Sequence, residues 1–144
     1  MNKQNKNICI HVCDDNPVVI EKAIKITKDL LNDERLAAEI VAYEDGNQFT
    51  ERYKERKDEL LILDIDMPGK SGLDILKEFE IHCKNNRVIL LTAYDNLALQ
   101  SLMYGPFQIV RKDLMEIDLE KAIRRFLRIR NDQNAQLKIK EDGI

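Results

Sequence analysis

Leu60-Leu61-Ile62-Leu63-Asp64-Ile65-Asp66-Met67-Pro68-Gly69 is the stretch on which the fold turns. Four large aliphatic residues in a row stop at a carboxylate, and a proline-glycine loop follows. A run this short with no polar face reads as a strand covered on both sides, the kind found inside parallel sheets. Such a strand needs helices above and below it, and the flanking sequence has to supply them. Ser71, followed three positions later by Asp74, resembles a capping box that opens a helix. That helix is expected to carry Leu73, Leu76, Phe79 and Cys83 inward.

The same alternation recurs on both sides. Ile8 to Cys13 is a second nearly continuous apolar run, and Asn16-Pro17 after it has the form of an N-cap with proline at the first helical position. Ile20, Ala23, Ile24, Thr27, Leu30 and Leu31 then keep helical spacing. Leu36 to Tyr43 is a weaker strand broken by Asp45-Gly46, with a polar helix expected over Asn47 to Arg56. Val88 to Thr92 gives a fourth strand and Asp95 to Tyr104 a helix ended by Gly105-Pro106. Phe107 to Val110 is the fifth strand, and Leu119, Ile123, Phe126 and Leu127 mark a last helix. Strands alternating with helices imply βαβ units with right-handed crossovers. Five of them make an α/β, doubly wound, five-stranded parallel sheet with helices on both faces.

Composition narrows the function. The chain has 144 residues, 23 Lys plus Arg against 26 Asp plus Glu, 44% apolar and 34% charged residues, 5 Gly and 3 Pro. That is one domain with a short remainder, neither collagen-like nor low-complexity. A net charge of −3 argues against a surface given over to nucleic acid. No apolar run reaches the roughly 18 residues of a membrane span, and the first seven residues lack the apolar stretch of a signal peptide. Cys9, Cys13 and Cys83 form an odd set without CxxC spacing, so neither a disulfide framework nor a zinc site is indicated. A cytoplasmic domain without a membrane partner is the expectation. Cys9, His11 and Cys13 share one strand face and are read as core packing, because a buried strand offers no fourth ligand.

In doubly wound sheets ligands bind outside the carboxyl ends of the strands. There the sequence places Asp14-Asp15, Asp64 with Asp66 close behind, Thr92, and Arg111-Lys112. Two carboxylates about 4 Å apart repel by ~4 kcal/mol at an effective dielectric near 20. A stable site must therefore protonate one of them or recruit a cation. Oxygen ligands with no His or Cys beside them favour a hard divalent ion, Mg²⁺ first. Such an assembly suits phosphoryl chemistry, with an Asp as nucleophile.

At this point the chain resembles the receiver domain of bacterial two-component response regulators, over roughly residues 7 to 130. The resemblance rests on Cys13-Asp14-Asp15-Asn16, on Leu63-Asp64-Ile65-Asp66-Met67-Pro68-Gly69, on Leu91-Thr92-Ala93 and on Lys112, in that order. It implies the flavodoxin-like (CheY-like) fold with strand order 2-1-3-4-5. It also implies Asp64 as phosphoacceptor for a phosphohistidine on a sensor histidine kinase. Asp15 would bind Mg²⁺ directly and Asp14 largely through water, with the backbone carbonyl of Asp66 completing the protein's ligands. Thr92 would hydrogen-bond a phosphoryl oxygen, Ala93 would leave room beside it, and Lys112 would pair with the phosphoryl group. The outcome would be a signalling switch rather than an enzyme of turnover. Tyr94 either tunes water access to the acyl phosphate or is an exposed loop residue.

Two positions depart from the family pattern. Ile109 stands where receivers carry an aromatic switch residue, and Asp113 follows the lysine where they carry a cis proline. A non-proline cis bond costs ~3 kcal/mol, so a trans peptide is expected at Lys112-Asp113. Both departures, with Gly105-Pro106-Phe107-Gln108-Ile109-Val110-Arg111-Lys112, resemble the subgroup coupled to LytTR-type DNA-binding domains. On that reading residues 1–130 are the receiver. Residues 131–144 are then a linker and, from Gln136 to Gly143, the alternating first strand of an absent LytTR-type output domain. DNA would be reached only through that domain, and a homodimer would form through the last helices. Lys121, Arg124, Arg125, Arg128 and Arg130 are a solvated helix face or, more sharply, a docking surface. Two rivals stand beside the switch. One is a DxD-type phosphatase of the haloacid-dehalogenase kind, built on Asp64-Ile65-Asp66. The other is a receiver-like interaction module that works without phosphorylation.

Overall fold

A strand sends alternate side chains to opposite faces, so a strand that is apolar at every position needs cover on both. The computed structural model, which describes residues 8–93 and 95–141, supplies that cover. Its strands are β1 (Ile8–Cys13), β2 (Ala38–Tyr43), β3 (Glu59–Asp64), β4 (Val88–Thr92) and β5 (Gln108–Arg111). Its helices are α1 (Pro17–Asp33), α2 (Gly46–Arg52), α3 (Gly72–Ile81), α4 (Asp95–Leu102) and α5 (Met115–Glu141). All pairings are parallel, in the order β2-β1-β3-β4-β5. Residues Ile8, Ile10, Val12, Leu60, Ile62, Ile89 and Leu91 point into one core shared with α1 and α5. Cys13, Leu61, Leu63, Val88 and Leu90 point into a second, covered by α2 and α3 with Leu97 and Ala98 of α4 packed against it.

The start signals operate as expected. Asn16 is the N-cap of α1, its side-chain oxygen accepting from the Val18 N–H at 3.0 Å, with Pro17 in the first turn. Ser71 and Asp74 form a reciprocal capping box on α3. Two inward assignments fail. Leu73 is half-buried, and Ile75 with Leu76 and Phe79 carries the buried face. Helix α3 stops at Ile81, and Cys83 is exposed in a left-handed conformation (φ 58°). Lys84 N–H bonds back to the Phe79 carbonyl at 2.8 Å, so the helix is closed off before Cys83 can complete the stripe.

The tail is also corrected. Residues 131–141, expected as linker and strand, continue α5 without a break, while Asp142 and Gly143 lie outside the described residues. A helix satisfies its backbone internally, whereas a lone strand has no neighbour to pair with. Ala135, Gln136, Leu137 and Lys138 are also good helix formers. Residues 131–138 are exposed throughout. Of the five basic residues from Lys121 to Arg130, three are tied to the body of the domain. Arg124 pairs with Glu34, and Arg130 grips Asp58 through Nε at 2.8 Å. The Arg125 guanidinium lies 4.2 Å over the Phe107 ring.

One buried polar group explains itself. His11, 2% exposed, is hydrogen-bonded through Nε2 to Glu59 at 3.1 Å and through Nδ1 to the Tyr43 hydroxyl at 2.9 Å. Glu59 also accepts from the Tyr53 hydroxyl at 2.6 Å and the Arg56 N–H at 3.0 Å. This is core packing with its polar atoms satisfied, as the sequence reading held for Cys9, His11 and Cys13.

Burial alone would raise the Glu59 pKa, but the His11, Tyr53 and Arg56 hydrogen bonds outweigh it and hold the carboxyl below its ordinary value. Its contribution to stability is present above the unfolded glutamate pKa of about 4.3. It is lost as pH falls through the lower native value. Glu59→Gln is therefore expected to flatten the acid side of the stability–pH curve. His11→Ala, which takes one of three hydrogen-bond donors from the buried carboxylate, should cost about 2 kcal/mol in urea unfolding at pH 7. Ending the chain after Asn131 should change stability by no more than about 0.5 kcal/mol, because what is removed makes no buried contact among the described residues.

Candidate phosphoryl-transfer site

Chain order builds the site. From β1 the chain moves to β2 on one side of the sheet, then crosses back to β3 on the other. The carboxyl ends of β1 and β3 therefore flank the crevice where such sheets bind ligands. Asp14 follows β1 directly and prolongs its pairing, its N–H bonding the Tyr43 carbonyl at 3.2 Å. Asp64 closes β3, Thr92 closes β4 and Lys112 follows β5. A cleft of about 360 Å³ is lined by Asp15, Asn16, Asp64, Ile65, Asp66, Thr92, Ala93 and Lys112.

Each sequence-assigned residue but Tyr94 can be placed. Asp14 is fully buried and spends Oδ1 on the Asn16 N–H at 2.8 Å. Its Oδ2 lies 2.8 Å from Lys112 Nζ, and Asp64 Oδ2 lies 3.1 Å from the same nitrogen. One ammonium thus bridges two carboxylates. Asp15 is exposed on the rim. Asp66 is exposed too, and its N–H reaches Asp64 Oδ1 at 3.3 Å. Thr92 is buried at the floor and Ala93 is open to solvent. Ile109 is half-buried and packs against the second core. Tyr94 lies outside the described residues. Every peptide bond among the described residues is trans, Lys112–Asp113 included.

Burial pushes the Asp64 carboxyl up to about 6, and the neighbouring Asp14 charge pushes the same way. Lys112 and the Asp66 N–H oppose them without cancelling them. For Lys112 burial favours the neutral amine, yet the two carboxylates prevail and raise its pKa. Asp14, Asp15 and Asp64 can each offer an oxygen within 4.8 Å of the others. Three carboxylates against one ammonium leave two negative charges. An all-oxygen set with one solvent-facing member suits a hard divalent cation that keeps its waters. The donor set therefore fits a metal ion of that kind.

The sequence reading missed two features near this edge. Gly72 packs its α-carbon so closely on the Asp64 carbonyl that a Cβ there would sit 2.2 Å from the oxygen. Arg111 and Asp113 form an ion pair across Lys112. Neither has a spacing signature, since each depends on where the backbone turns.

Comparison with known proteins places the chain in a family. The family model for the response regulator receiver domain matches residues 10–124. Sporulation initiation phosphotransferase F of Bacillus subtilis is 32% identical over 81 residues, covering 55% of this chain and 64% of that protein. Sensory transduction protein LytT of the same organism is 23% identical over 117 residues, covering 72% and 48%. The chain thus spans about half to somewhat under two thirds of the length of these curated relatives. Among solved structures, the response regulator DrrB of Thermotoga maritima superposes with a TM-score of 0.71 at 21% identity, over 87% of this chain and 54% of that one. That likeness carries the fold. With the family match over most of its length, the chain belongs to the response regulator receiver domains of two-component signalling.

Proposed function

We propose that Asp64 accepts a phosphoryl group from a phosphohistidine on a sensor histidine kinase and so switches an output. The observation that carries this reading is the Lys112 ammonium shared by Asp14 and Asp64 at the switch crevice, with Asp15 free on the rim. An Asp64 carboxylate oxygen attacks phosphorus, the phosphorus–nitrogen bond breaks, and its electron pair stays on the departing histidine ring. Lys112 is near enough to follow the charge from the carboxylate onto the phosphoryl oxygens. The Thr92 hydroxyl donates a hydrogen bond to one of those oxygens, and Ala93 keeps the space beside it clear. Asp14, Asp15, Asp64 and the Asp66 carbonyl are the groups that would hold Mg²⁺, which when bound neutralises charge on the transferring group.

The acyl phosphate then biases a two-state equilibrium along the face from Thr92 to Lys112. Inverting a 1:99 population needs ~5.5 kcal/mol of preference for the active state. Ile109, half-buried beside that face, is the side chain that would repack. The output is transcriptional, of the LytTR type, through a DNA-binding domain outside these 144 residues. Similarity to LytT over 72% of the chain supports this. A cytoplasmic location and dimerisation through the last helices complete the reading. Among the described residues no helix is long and apolar enough to cross a membrane.

Incubation with acetyl phosphate and Mg²⁺ is expected to add one phosphoryl group, about 80 Da by mass spectrometry, to wild type and none to Asp64→Ala. No adduct from any donor would leave the phosphorylation-independent module instead. In the metal-free protein the Asp64 carboxyl should titrate near pH 6 in carbon NMR. Lys112→Ala should move that titration upward, because the cation that favours the charged carboxylate is gone.

A further inference from the structure

Lys112 holds its nitrogen within 3.1 Å of two carboxylates, although it is among the most flexible side chains and starts a loop. Lys112–Leu114 is a single 3-10 turn whose N-cap, Arg111, makes no side-chain capping bond. On the far side, the Met115 N–H closes the turn by donating to the Lys112 carbonyl. Arg111 instead reaches forward over Lys112. Its Nε donates to Asp113 Oδ1 at 3.1 Å and its Nη2 to Asp113 Oδ2 at 2.8 Å. This is the two-pronged geometry in which a guanidinium fixes direction as well as distance.

Position strengthens the point. Arg111 is the last residue of β5, in register with Thr92 at the end of β4. One end of the fork is thereby anchored to the sheet beside the site. The other end, Asp113, is the residue directly after Lys112. Closing a ring from 111 to 113 restricts the peptide units on both sides of residue 112, and with them the direction in which its stem leaves the chain. Neither Arg111 nor Asp113 lines the cleft, so neither can touch the phosphoryl group as a ligand would.

We propose that the Arg111–Asp113 ion pair is a positioning device for Lys112 in phosphoryl transfer. This rests on the reading of Asp64 as phosphoacceptor. Both side chains are more than half exposed, so the pair can be broken without opening the core. The expected effect is a loss of about two- to fivefold in labelling rate, the range an exposed ion pair can supply.

The test compares labelling of the full chain by acetyl phosphate in wild type, Arg111→Gln, Asp113→Asn and the exchanged pair Arg111→Asp/Asp113→Arg. Both single variants should slow labelling with unchanged thermal midpoints, and the exchange should restore most of the rate. Whatever labelling remains in Lys112→Ala should not fall further on adding Arg111→Gln, since the fork acts only through Lys112. A plain electrostatic role gives a different pattern. Losing the cation would then slow attack on an anionic donor while losing the anion would speed it, and opposite signs overturn the proposal. Single variants at the wild-type rate, or an exchanged pair as slow as the singles, overturn it as well. If wild type takes no phosphoryl group at all, the reading of Asp64 fails first and the positioning role falls with it.

Discussion

The repulsion among Asp14, Asp15 and Asp64, and its partial relief by Lys112, is the constraint that the upper edge of this domain is built around. Left alone, two buried carboxylates side by side would cost several kcal/mol. The fold tolerates them because β5 ends where a lysine can reach across β4 and β3 to both. It tolerates them only in part. Asp64 remains pushed toward neutrality, and a site that is short of positive charge is one that gains from a cation. The deficit is local, and it is the feature on which the proposed metal-dependent phosphoryl transfer rests.

The rest of the architecture keeps that edge rigid. Strands β1, β3 and β4 are buried along their whole length, and their alternate residues feed two separate cores. A slip of one residue in β3 would exchange Leu61 and Leu63 for Leu60 and Ile62 across the sheet and draw Asp64 off its end. Register is thus set by packing, and the placement of Asp64 comes with it. Gly72 adds a steric limit, because the first turn of α3 sits on the Asp64 carbonyl where no side chain fits.

Much of this was legible in the residues. Apolar runs that stop at Asp14, Asp64 and Thr92 encode strand ends, and Asn16-Pro17 and Ser71-x-x-Asp74 encode helix starts, all through local chemistry. Failures came where a local pattern was overruled. Helical spacing continues from Phe79 to Cys83, but the chain enters a left-handed turn at Cys83 with no glycine to announce it. Alternation from Gln136 to Gly143 suits a strand, yet a strand needs a partner and α5 simply runs on to Glu141. The five basic residues from Lys121 to Arg130 look uniform in sequence, while Arg124, Arg125 and Arg130 bind groups 90, 18 and 72 positions away. Such pairings are properties of the folded chain, not of the helix.

Strand β3 shows how one element serves stability and function at once. It begins at Glu59 and ends at Asp64, both buried carboxylates. Burial acts on both in the same direction, toward the neutral acid. At Glu59 an imidazole, a phenol and a backbone N–H supply hydrogen bonds, and the carboxylate is held in its charged form. At Asp64 the neighbours are another carboxylate, one shared ammonium and a long backbone contact, so the charged form stays costly. The difference lies in the donors, not the depth. A strand end whose carboxylate is fully satisfied has no reason to bind anything further. One left in deficit and lining the cleft still gains from a cation, which is why the proposed phosphoryl chemistry is assigned to the Asp64 end of β3 and not to the Glu59 end.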